Sequence, residues 1–176
     1  MATRPLPLLS PFDFSTASRL SVDARVQQCI AAIQQRHIES DIADLHQLPL
    51  LPMSGASREE LSALEQALAL ILPNDYRYLL SICRYLQIAP GASIYGLSYN
   101  GTYLSGPPYV LKDLAIPGTF LAIGDYWRFA DGDQLLLAVD DPDQPVVTYF
   151  HEHGPRIEYF APSVSLALWR LTYEEM

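Results

Sequence analysis

Positive charge is what this chain has least of. Lys112 is its only lysine, and basic residues total 11 against 20 acidic ones, a formal charge of −9. A field of that sign repels phosphate backbones and anionic lipids, which excludes nucleic-acid and membrane partners and favours a basic protein as the complement. Cysteine is scarce too. Cys29 and Cys83 stand alone, each among apolar residues at helical spacing, the ordinary setting of a buried free thiol. A single domain of this length buries roughly 70% of its unfolded surface, so it needs no disulfide framework. Long apolar runs are missing: none approaches the roughly 20 residues that span a bilayer. The amino terminus, interrupted by Pro5, Pro7 and Pro11, holds no signal-peptide core. Together with reduced thiols, this predicts a cytoplasmic protein.

Catalytic signatures are wanting as well. No Gly-x-Ser-x-Gly elbow exposes a nucleophile, and no glycine loop precedes Lys112 to cradle phosphate. Neither a hydrolase nor a nucleotidase is indicated, and no cofactor is expected.

What is present is a clear change of period along the chain. A Pro-rich opening, Arg4 to Phe14, predicts an extended arm that packs Phe12 and Phe14 on the body. Val22, Val26, Cys29, Ile30 and Ile33 recur at three and four residues and predict a helix ending near His37 to Ser40. Ser57-Arg58-Glu59-Glu60 is a capping box before a second helix through Leu61, Leu64, Leu68 and Ile71. Pro73 breaks that helix and seeds a third, with Tyr76, Leu79, Leu80, Cys83 and Leu86 inward.

Beyond Pro90-Gly91 the pattern turns extended. Ser93 to Tyr99, Asn100-Gly101 and Thr102 to Leu104 read as a hairpin. Four further strands are predicted at Thr119–Ile123, Gln134–Val139, Pro145–Phe150 and Arg156–Phe160, too close together for parallel crossovers. An amphipathic helix from Ser163 closes the chain. The sum is an α+β fold, an antiparallel sheet of about six strands covered on one face by helices. Residues 1–56 form an arm and helix packed on a domain of residues 57–176.

The polar motifs suit turns before chemistry. His151-Glu152-His153 resembles a metal trio, but in a strand end alternation puts Glu152 opposite the two imidazoles, which suits a solvated turn. His37 and His46 lack zinc-type spacing. Asp131-Gly132-Asp133 and Asp140-Asp141-Pro142-Asp143 lack the calcium-loop pattern and fit strand reversals. These same aspartates, with only Arg128 opposing them, make an acidic surface suited to a protein partner. Asp125, Trp127, Arg128, Asp131 and Asp133 are the interface candidates, Trp127 fitting either an interface or the core.

The order of these pieces resembles the SUKH superfamily, which contains bacterial immunity proteins and fungal cell-wall regulators. The carriers are Leu72-Pro73-Asn74-Asp75-Tyr76-Arg77-Tyr78-Leu79-Leu80, Phe120-Leu121-Ala122-Ile123-Gly124-Asp125, Gly132-Asp133-Gln134-Leu135-Leu136-Leu137, Val146-Val147-Thr148-Tyr149-Phe150 and the helix from Ser163. After the third helix, Ile88-Ala89-Pro90-Gly91 replaces the usual Asn-Gly-Gly-like turn. The resemblance implies a non-catalytic immunity protein that docks on a basic toxin domain and occludes its active site. The alternatives are a regulatory scaffold of the same superfamily and a metal-dependent enzyme using His151, Glu152 and His153.

Overall fold

The computed structural model describes residues 9–39, 55–84, 86–97, 107–111, 114, 116–128, 130–152 and 156–174. One irregular segment and two helices come first among the described residues. Leu9 to Phe14, neither helix nor strand, leads into a single turn, α1 (Ser15–Ser18), and α2 (Val22–Glu39) follows. Phe12 and Phe14 pack on the core, and their rings meet at 5.0 Å. On α2, Val26, Cys29, Ile30 and Ile33 are buried, whereas Val22 is exposed. Arg25 on the same face is buried too, its guanidinium donating to the Ala17 and Leu20 carbonyls and, at 2.6 Å, to the Ser165 hydroxyl.

Helix α3 (Arg58–Leu68) starts at the predicted capping box: Ser57 Oγ accepts from the Glu60 amide, and Glu60 accepts from the Ser57 amide. It ends at Leu68, where Ala69 takes a left-handed conformation (φ 54°), so Ile71 lies beyond the helix and is exposed, not on its inner face as the spacing predicts. Pro73 then precedes α4 (Asn74–Ile82). This helix is shorter than the apolar spacing suggests. Cys83 is already extended (φ −138°, ψ 135°), so Leu86 lies not on a third helix but in strand β1 (Leu86–Ala89), where it remains fully buried.

Pro90 and Gly91 turn β1 into β2 (Ala92–Ile94), and Gly91 takes the positive φ of 73° that this reversal needs. This β1–β2 hairpin is one the sequence pattern does not indicate; the turn and return of the one it does indicate, Asn100-Gly101 and Thr102 to Leu104, lie outside the described residues. The remaining strands are β3 (Tyr109–Leu111), β4 (Phe120–Tyr126), β5 (Gln134–Ala138), β6 (Val146–Phe150) and β7 (Arg156–Ala161), and α5 (Val164–Tyr173) ends the fold. They build one open antiparallel sheet of seven strands in the order β1-β2-β4-β5-β6-β7, with β3 also paired to β4. The expected meander from β4 to β7 is present, and the short strands β1 and β3 bring the total above the expected six.

Helix α5 is the keystone of the helical layer. Val164 to Thr172 are buried without interruption, because α2 and α4 cover one side and β7 the other. The Asp75 carboxylate accepts from the Ser165 amide at 2.7 Å, and Ser163 Oγ faces the Leu166 amide, so two of the orphan donors of its first turn are satisfied. The main core lies between helices and sheet, built on the sheet side from Leu121, Ile123, Leu135, Leu137 and Phe160. A second, smaller cluster on the opposite face contains Tyr95, Phe120, Ala122, Leu136 and Val147. No described helix is long and apolar enough to cross a membrane.

Candidate partner-binding site

A bulge in β4 decides which side chains reach the face away from the helices. Leu121 and Ile123 point into the helical core, and Phe120 and Ala122 point away from it. Strict alternation would send Asp125 inward. Between Ala122 and Gly124 the register against β5 slips by one residue, so Gly124 pairs with Leu135 and Asp125 with Gln134. The slip turns Asp125 outward. Glycine is required at 124: a Cβ there would stand 2.1 Å from the Ser93 carbonyl oxygen of β2.

Asp125 is held by two hydroxyls. Ser93 Oγ donates to one carboxylate oxygen at 2.8 Å and the Tyr95 hydroxyl to the other at 2.5 Å. Burial, followed by the hydrogen bond to Asp125, pushes the Tyr95 phenol well above its ordinary pKa, so it remains the donor of this pair. Tyr95 lies parallel to Tyr109 at 6.3 Å, and the Gln134 amide donates to the Tyr109 hydroxyl.

Trp127 stands just beyond β4. Its amide donates to the Gly91 carbonyl at 2.8 Å, which extends the β2–β4 ladder by one residue and keeps the indole on the Asp125 side. It is 46% exposed, so it belongs to the surface and not the core. Arg128 turns the other way. Its guanidinium reaches the Tyr126 hydroxyl at 3.2 Å and Glu174 at 3.3 Å, while Glu174 also takes Arg170 at 2.9 Å. Burial first, and Glu174 second, push the Tyr126 phenol up to about 12.

The two remaining candidates part company at the β4–β5 turn. Asp131 is exposed; Asp133 is only 1% exposed and works from inside. One Asp133 oxygen accepts from the Ala130 amide at 3.2 Å, and the other faces the His151 amide at 3.3 Å and its Nδ1 at 3.0 Å. Asp133 therefore positions the turn and offers a partner no surface. Asp140 and Asp141 similarly accept backbone amides, from Thr119 and Asp143. His151 faces Asp133, and His153 and His46 lie outside the described residues. Among the described residues no group of three or more His, Cys, Asp or Glu side chains converges as a metal site.

Of the five candidates, Asp125 and Trp127 share one face, Asp131 sits on the neighbouring turn, and Arg128 and Asp133 support from behind. Glu174, Tyr95 and Ser93 carried no signal in the sequence, because each becomes a site neighbour only through pairing across 30 or more positions. A cleft of about 840 Å³ opens elsewhere, between α2, β1 and the end of α5. Its guanidinium, Arg36, is committed to the Thr172 carbonyl.

This architecture is that of a known family. The SMI1 / KNR4 family (SUKH-1) matches residues 55–167, well over half of the chain, and the protein belongs to it. The family includes immunity proteins and regulators. No curated protein and no solved structure matches the chain.

Proposed function

We propose that the protein is a cytoplasmic immunity protein that binds a cognate bacterial toxin and neutralises it by occluding its catalytic domain. The observation that carries this reading is family membership over residues 55–167 in a chain of net charge −9. An acidic binder meets a basic, nuclease-like toxin quickly through electrostatic steering, and aromatic anchors then supply much of the affinity. Trp127 at 46% exposure, flanked by Asp125 and the exposed Asp131, is such an anchor with charge at its rim. In this reading the protein is not an enzyme, and residues 9–39 brace the family domain from outside it.

The test is co-expression with the product of the adjacent gene, scored by growth rescue and co-purification. Rescue with a stable complex is the expected result. Failure of both shifts the assignment to a regulatory scaffold of the same family.

A further inference from the structure

The register of the sheet sets one row of side chains across six strands on the face away from the helices: Gln87, Ser93, Asp125, Gln134, Tyr149 and Ile157. Rows deeper along the same face are apolar and buried, with Ala122, Leu136 and Val147 at their centre. The Asp125 row is different in kind. It contains one charge, at its centre, and no arginine or histidine among the described residues pairs with it, although arginines pair with Glu60, Glu65, Glu158 and Glu174. Two hydroxyl donors hold the Asp125 carboxylate in place, and each oxygen keeps a lone pair for a further donor.

We propose that this row is the docking site for an arginine side chain of the protein partner, its guanidinium hydrogen-bonded to Asp125 and lying on the Trp127 indole. The proposal rests on the partner-binding reading above and says which chemistry that partner presents. Charge complementarity selects a cation, since a lone carboxylate in a half-buried neutral frame gains most from a charged donor. The aromatic neighbour selects arginine over lysine, because a planar guanidinium stacks on indole while its edge still reaches a carboxylate. Gln134, paired across from Asp125, has its amide donating to the Tyr109 hydroxyl, so the frame beside the carboxylate is polar and neutral. Gly91 is part of the design: a Cβ there would come within 2.8 Å of Trp127 Cβ and push the indole off its seat.

The site can be tested without knowing the toxin. A short capped peptide with one arginine, Gly-Ser-Arg-Ser-Gly, is titrated into the full chain while backbone amide NMR shifts and tryptophan fluorescence are followed, with the citrulline peptide as neutral isostere. Saturable shifts at Asp125, Trp127 and Gln134 are expected, at least fivefold weaker for citrulline and for Asp125→Asn. Asp143→Asn, which removes the same charge from an exposed turn, should bind as the natural chain does. Trp127→Leu, whose site is half exposed, is the second variant should Asp125→Asn fail to fold, and it should weaken binding at least threefold. No saturable shift, an equal citrulline response, or equal losses in Asp125→Asn and Asp143→Asn would overturn the proposal. A failed growth rescue together with a positive titration would overturn the immunity reading and leave the arginine site standing.

Discussion

Replacing Arg170 by methionine should cost this protein about 4 kcal/mol. The guanidinium is only 3% exposed and touches three parts of the fold. It donates to the Phe160 carbonyl of β7 at 3.0 Å, to the Ser10 carbonyl of the arm at 2.9 Å, and to Glu174, just past the end of its own helix, at 2.9 and 3.3 Å. It also stacks over the Phe160 ring at 4.5 Å and the Phe12 ring at 5.6 Å. Methionine fills part of the volume but leaves two carbonyls without donors, roughly 1–3 kcal/mol each. Glu174 keeps Arg128 and the Tyr126 hydroxyl, so its carboxylate is not stranded. The sum falls in the range of about 3–5 kcal/mol for breaking one side of a buried ion pair. With a urea dependence of about 2 kcal/mol per molar, the unfolding midpoint drops by about 2 M. Hydrogen exchange should show the loss locally: the Leu9 amide, bonded to Glu158, loses protection before the core amides do. Adding Glu174→Gln should cost less than the two single changes summed, because the second removes a partner the first has already lost. A loss below about 1 kcal/mol, or strict additivity, would refute the picture of Arg170 as the clamp between arm, sheet and helix.

Two further predictions concern charge and pH. Asp131→Lys, on an exposed turn residue without a structural duty, should slow association with a basic toxin about threefold in low salt and flatten its salt dependence, measured by stopped-flow; an unchanged rate would remove Asp131 from the interface. Burial pushes the Cys29 thiol from 9.0 up to about 11 and the Cys83 thiol up to about 12. Their folded pKa values lie above the unfolded ones, so the linked stability is complete below about pH 9 and is lost as pH rises through the folded values. Both thiols should resist iodoacetamide at pH 9 in the folded chain and react in urea. The Cys83→Ala variant should lose less stability between pH 9 and 11 than its parent, and an equal loss would contradict the linkage.

The main elements could be read from the chain because they depend on local chemistry. The Ser57–Glu60 capping box, the start of α4 after Pro73, the helical spacing of Val26 to Ile33 and the β4 to β7 meander each follow from contacts among near neighbours or from turn residues. The order of those pieces sufficed for the family resemblance that residues 55–167 bear out. Where local preference is weak the reading drifted: the three- and four-residue strands owe their place to pairing and not to their own sequence, β2 and β3 on β4 and β1 on β2.

The candidate site was legible as a neighbourhood but not as an arrangement. Five residues within nine positions look alike in sequence, yet Asp131 faces solvent while Asp133, two residues later, is sealed beneath the turn by the Ala130 and His151 amides. Asp125 owes its outward position to a one-residue bulge, and its partners, Ser93 in β2 and Tyr95 just past it, lie 30 or more positions away. Charge and the succession of helices and strands are properties of residue types and their spacing, so the sequence by itself determined them. Which carboxylate is buried, which is paired and which stands open depends on register between strands, a long-range quantity that only the tertiary structure decided.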